Sequence, residues 1–124
     1  PNNNKDLQMN TELVVRLVQG DQLNNDQYSQ KMKMLAELRL PQDDVIISKV
    51  RIGQGGFGDV FLGTFRRRYK VAIKTIRNVD DPYAENKKKS IENELLLMKF
   101  LGSYPTILSC YGYVMREGSL QIVL

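Results

Sequence analysis

The spacing of apolar residues changes period along the chain. Before residue 41 they recur at three and four residues. Leu13, Val14, Leu17 and Val18 form one stripe, which predicts a short helix over Glu12–Gln19 with Thr11 as its cap. Gly20 and Asp21 interrupt it. A second stripe of Tyr28, Met32, Met34, Leu35 and Leu38 predicts a helix from Asp26 to Leu40, stopped by Pro41. Residues 1–10 are rich in Asn and Gln and read as frayed. Stripes of this kind are more often core or docking surface than cofactor sites.

At Asp43 the period drops to two. Val45, Ile47 and Lys49 fall on one side of a strand, and Ile46, Ser48 and Val50 on the other. Two more strand-like runs follow, Val60–Phe65 and Tyr69–Ile76, separated by the turn Arg66-Arg67-Arg68. A helix is predicted from Tyr83 or Asn86 to Leu101, with Ile91, Leu95, Met98 and Leu101 on its inner face and Gly102 ending it. Strands over Leu108–Met115 and Leu120–Leu124 are joined by a turn at Arg116-Glu117-Gly118-Ser119. The order β-β-β-α-β-β with short connections predicts an α+β fold. Its residues 43–124 would form a five-stranded antiparallel sheet with one packed helix, and residues 1–42 a helical extension or linker.

A chain of 124 residues suffices for one domain with a single core. No apolar run approaches the roughly 18 residues of a membrane-spanning helix. The single cysteine, Cys110, excludes an internal disulfide and is compatible with a reducing, cytoplasmic compartment. It reads as a buried, unreactive core residue of the fourth strand. With no histidine, both histidine acid–base chemistry and a structural zinc site are excluded. Charge is uneven: residues 1–50 carry 6 basic and 7 acidic side chains, whereas residues 51–124 carry 12 and 7. The basic half is either a solvated surface or a face for an anionic partner such as a nucleotide, nucleic acid or phosphorylated group.

The segment Ile52-Gly53-Gln54-Gly55-Gly56-Phe57-Gly58 contains G-x-G-x-x-G. Glycines at these positions let backbone N–H groups approach phosphate oxygens. In a dinucleotide-binding fold a helix would follow at once. Here Asp59-Val60-Phe61-Leu62-Gly63-Thr64-Phe65 follows, a poor helix start and a good strand. The loop therefore joins two strands as a flap. Asp59 beside it reads as outward-facing, with no catalytic role. No G-K-[ST] is present, so a Walker-type loop is excluded. The next strand holds Val71-Ala72-Ile73-Lys74, where the lysine either snorkels to solvent or reaches the phosphates.

Glycine-rich loop and V-A-I-K together resemble the eukaryotic protein kinase family over residues 45–124. The stretch Phe61-Leu62-Gly63-Thr64-Phe65-Arg66-Arg67-Arg68 somewhat resembles its tyrosine-kinase-like group. Leu101-Gly102-Ser103-Tyr104-Pro105-Thr106-Ile107-Leu108 resembles the segment leading into the fourth strand, with Tyr104 and Thr106 where the family commonly has His and Asn. The resemblance implies an ATP-binding lobe in which Lys74 meets the α/β-phosphates and pairs with a helix glutamate. Glu94 is preferred to Glu92, because Glu94 shares a face with Ile91, Leu95 and Met98 while Glu92 is rotated about 200° away. Ile52 and Val60 would roof the adenine, Ala72 would touch it, Phe57 would sit at the flap tip, and Leu124 falls at the gatekeeper position. Amides of Gly53, Gln54, Gly55, Gly56, Phe57 and Gly58 would cover the phosphates.

The sequence contains neither H-R-D nor D-F-G, so catalytic base and magnesium ligands are missing and these residues alone should not turn over. The resemblance thus implies the N-terminal lobe of a kinase, with Mg-ATP and a protein substrate bound by the intact enzyme. It implies no nucleic-acid partner. The alternative is a non-catalytic lobe serving as a binding or assembly module. Without its second lobe, the surface around Leu95, Met98, Leu101, Ile122 and Leu124 should be covered by the N-terminal helices or by a second copy.

Overall fold

The computed structural model describes residues 3–55, 58–101 and 110–124. Two helices come first, α1 (Asn3–Gln19) and α2 (Asn25–Leu38). Helix α1 begins at Asn3, so the expected fraying is corrected for residues 3–10, and the cap at Thr11 with it: the helical turn runs through Thr11, while residues 1 and 2 lie outside the described residues. Helix α2 starts with a capping box. The Asn24 side chain accepts from the Gln27 N–H at 2.8 Å, and the Asn24 N–H donates to the Gln27 side chain at 3.0 Å.

The buried face of α2 is also rotated from the expected one. It consists of Gln27, Lys31, Met34, Leu35 and Leu38, while Tyr28 and Met32 are exposed. Two polar residues can lie inward here because each has a partner, Gln27 in the cap and Lys31 in an ion pair with Glu92.

The strands are β1 (Val45–Gly55), β2 (Gly58–Phe65), β3 (Tyr69–Ile76), β4 (Gly112–Arg116) and β5 (Ser119–Val123), with helix α3 (Glu85–Leu101) between β3 and β4. All pairings are antiparallel, in the order β1-β2-β3-β5-β4. The α+β sheet-and-helix expectation therefore holds. Strand β4 begins at Gly112, later than the expected Leu108; Gly102 through Ser109 lie outside the described residues, and so does the expected end of α3 at Gly102. Cys110 precedes the strand and is half-buried against the helical side of the core.

Each face of the sheet carries its own core, rather than the single core expected. Val45, Phe65, Val71, Ile73, Val114 and Val123 close one face, with Ile47 and Leu40 packed against them. On the other, Ile76, Leu120 and Ile122 pack with Ile91, Leu95 and Leu96 of α3 and with Leu13, Leu17, Met34, Leu35 and Leu38 of the N-terminal helices. Helix α3 is thus covered on two sides. This is why Leu96, off the expected inner face, is as inaccessible as Leu95. Leu95 and Ile122 are interior, so the bare surface expected there is covered within the chain.

The extension also reaches the sheet. Arg39 bridges to Tyr113, and the Leu40 N–H donates to the Tyr113 carbonyl at 2.8 Å, covering the open edge of β4. Gly112 makes this approach possible. Its φ is +148°, and a Cβ there would run into the Leu38 carbonyl oxygen and the Leu40 side chain.

Candidate functional site

The site is built outward from β3. Lys74 lies between Val60 of β2 and Ile122 of β5 in the hydrogen-bonded ladder. Directly opposed residues of antiparallel strands share a face, as do residues two apart along one strand. Val60, Ala72 and Lys74 therefore face the same way, toward the helical side of the sheet. The Leu124 N–H donates to the Ala72 carbonyl at 2.9 Å, which sets Leu124 beside Ala72 at the end of β5.

Strands β1 and β2 supply the glycine hairpin. Arg51 pairs with Phe61 and Gly53 with Val60, so Ile52 is the extra residue of a bulge. Ile52 is 55% exposed, Val50 equally so. Ser48 fills an earlier break in the ladder: its hydroxyl donates to the Leu62 carbonyl at 2.7 Å and accepts from the Val50 N–H at 3.1 Å. Gln54 pairs with Asp59 and Gly55 with Gly58. Gly56 and Phe57, the expected flap tip, lie outside the described residues.

Asp59 corrects an expectation. It is buried, not outward-facing, with Arg77 at 2.5 Å and Arg51 at 4.0 Å. The reason is its place on a strand between two others, opposite Thr75 and Gln54, where the Arg77 side chain folds back over it. The pair ties the base of the glycine hairpin to the end of β3. Nothing in the sequence spacing pointed to Arg77.

Across from β3, the first half of α3 completes a cleft of about 350 Å³. It is lined by Lys74, Ile76, Asn86, Lys87, Ser90, Ile91 and Glu94. Lys74 and Glu94 thus face one space. Among the described residues no ion pair joins them, and the Lys74 ammonium has no hydrogen-bond partner. The Lys87 ammonium, by contrast, donates to the Arg77 carbonyl at 3.1 Å. Glu92 points elsewhere, to Lys31 of α2 at 3.3 Å. The arrangement offers two half-buried cations, Lys74 and Lys87, neither in an ion pair among the described residues, with a carboxylate across the cleft. Its chemistry is that of an anion site in which Lys74 can be steadied from the helix.

Comparison with known proteins agrees with this architecture. Residues 46–124 match the family described as protein tyrosine and serine/threonine kinase. The chain is 37% identical over 75 residues to the serine/threonine-protein kinase pelle of Drosophila melanogaster, a match covering 59% of the chain and 15% of that protein. It is 40% identical over 89 residues to the probable serine/threonine-protein kinase drkB of Dictyostelium discoideum, covering 60% of the chain and 12% of that protein. It is 24% identical over 95 residues to fibroblast growth factor receptor 1 of Dugesia japonica, covering 72% and 11%. The chain spans a small fraction, 11–15%, of the length of these relatives. Among the described residues no helix is long and apolar enough to cross a membrane. A family match running from the first strand to the last residue, over a sheet and helix that set a strand lysine opposite a helix glutamate, makes this chain a member of the protein kinase family.

Proposed function

We propose that residues 43–124 are the nucleotide-binding lobe of a kinase that transfers the γ-phosphoryl group of ATP to a protein Ser/Thr or Tyr hydroxyl, with residues 1–42 as a helical extension. One observation carries the reading: Lys74, half-buried and without a partner among the described residues, lines one cleft with Glu94 and faces the same way as Val60 and Ala72.

In this reading Lys74 holds the α/β-phosphates and Glu94 orients Lys74. The amides of residues 53–58 cover the phosphates. Ile52, Val60, Ala72 and Leu124 enclose the adenine. These residues position charge and exclude water; they neither donate nor accept the transferred proton. Protein ligands for the magnesium that would accompany ATP, and a base for the attacking hydroxyl, are not among these residues. The 124 residues contain neither H-R-D nor D-F-G, so these residues alone bind nucleotide without turnover. The unpaired Cys110 accords with a reducing, cytoplasmic setting.

Phosphoryl transfer by the whole protein tests the reading. Lys74→Met should lower kcat by about a hundredfold or more, the usual cost of removing a charge aimed at the reacting phosphates. An unchanged rate would overturn it. Nucleotide binding with no transfer by the unaltered protein would favour a non-catalytic lobe used for assembly.

A further inference from the structure

Lys31 of α2 is buried, with its side chain only 3% exposed. Its ammonium lies 3.3 Å from Glu92, whose side chain is 19% exposed. A buried ion pair is seldom a net source of stability, since two apolar residues of similar volume serve as well or better. Its geometric consequence is larger. Glu92 and Glu94 are two residues apart on α3, so about 200° separates them around the helix axis. A helix whose Glu92 is held against α2 must turn Glu94 toward the opposite side, and there Glu94 lines the cleft with Lys74.

Other contacts hold α3 to the extension without choosing this rotation so closely. Leu13, Leu17, Met34, Leu35 and Leu38 pack on Ile91, Leu95 and Leu96, and apolar contacts tolerate a helix turning or sliding by a fraction of a turn. Lys99 and Glu37 pair at 3.2 Å farther along the same interface, with side chains 35% and 53% exposed, where an ion pair constrains little. The Lys31–Glu92 pair is the directional contact in a low-dielectric setting.

We propose that Lys31 is a positioning residue for the phosphate site: by fixing Glu92 it sets the rotation of α3 that presents Glu94 to Lys74. The helical extension is then part of the catalytic apparatus, acting through α3 and touching no substrate. Closure of the remaining gap between Lys74 and Glu94 is left to the nucleotide. The inference rests on the roles given to Lys74 and Glu94 above.

Kinetics of the whole protein test it, alongside the affinity for a fluorescent ATP analogue measured without turnover. Lys31→Met should lower kcat on the order of tenfold or more, as misplaced catalytic groups do. KM for ATP and analogue affinity should change by less than about threefold, because the glycine hairpin is untouched. That single change strands a half-buried Glu92 at a cost to folding, so two double variants accompany it. Lys31→Met with Glu92→Met removes both charges; the thermal midpoint should return while kcat stays low. Lys31→Glu with Glu92→Lys rebuilds the pair reversed, and kcat should recover. The proposal is overturned if kcat returns together with the thermal midpoint in the apolar double variant, since Lys31 would then only hold the fold. It is equally overturned by a failure of the exchanged pair to rescue, or by unchanged or faster turnover in the single variant. If Lys74→Met leaves transfer intact, the functional reading fails and this inference falls with it. If Lys74→Met abolishes transfer while the Lys31 variants behave normally, only the inference falls.

Discussion

The glycine hairpin and helix α3 approach Lys74 from two sides and are built in opposite ways. The hairpin is held by ladder hydrogen bonds, a bulge at Ile52 and the Asp59–Arg77 pair, and it leaves Val50 and Ile52 more than half exposed. Helix α3 is held by side-chain burial, with Leu95 and Leu96 wholly inaccessible between the sheet and the N-terminal helices. Apolar surface left open on a flap is available to a ligand, whereas apolar surface closed under a helix has already contributed its burial to folding. In the proposed reading, stability and nucleotide binding are therefore carried by different sides of the same site.

Truncation on each side gives the largest contrast. Leu95→Ala should cost about 2–5 kcal/mol in denaturant unfolding, the range for a buried leucine that leaves a cavity. Ile52→Ala should change stability by less than about 0.5 kcal/mol, yet weaken binding of an ATP analogue severalfold. Equal losses of stability at the two positions would erase the distinction.

A sharper version separates the extension from the lobe. Gly112→Ala places a Cβ against the Leu38 carbonyl and Leu40 at a φ of +148°. It should cost about 1–3 kcal/mol, the scale of local backbone strain. The Leu40 amide should lose its protection from hydrogen exchange while the β1–β2 ladder keeps its own. Loss of protection in both would mean that the two regions unfold together.

The smallest effect concerns pH. Burial pushes the Cys110 thiol upward, against backbone hydrogen bonds that lower it. Burial likewise raises the Tyr113 phenol, with Arg39 opposing and Glu92 reinforcing the shift. Both groups are neutral in folded and unfolded chains at neutral pH, so their contribution is fully present there. Above the ordinary thiol and phenol values, about 8.5 and 10, the unfolded chain ionises first. Stability should then fall as pH climbs through the raised folded values. Thermal midpoints between neutral and strongly alkaline pH check this, and Cys110→Ser should flatten the first part of the decline. Slow reaction of Cys110 with a thiol reagent at neutral pH belongs to the same cause; rapid labelling would contradict it.

Much of the fold could be read along the chain because its signals are local. Period-two runs placed β3 at Tyr69–Ile76, and the residues after Gly58 were too β-branched and aromatic to start a helix. The resemblance rested on residues whose spacing along the chain survives folding, from Gly53 to Lys74. What escaped was phase and partnership. Tyr28 and Met32 had the better apolar character, yet Gln27 and Lys31 are buried, because a cap and a distant glutamate satisfy them. Asp59 seemed a solvated carboxylate until Arg77, eighteen residues away, folded over it. Thr11 had the chemistry of a cap, but the helix runs on past it to Asn3.

By itself, the sequence determined the order of elements, the strand that carries Lys74 and the glycine spacing of the hairpin, since backbone propensity and side-chain period act over a few residues. Only tertiary structure decided what covers the other side of α3. The apolar face of Ile91, Leu95 and Met98 already pointed to Glu94 rather than Glu92 for the cleft, but nothing local gave Glu92 its partner on α2. That choice is made where helices from distant parts of the chain meet, at Lys31 and Glu92, because the direction of an ion pair depends on the partner that burial brings near.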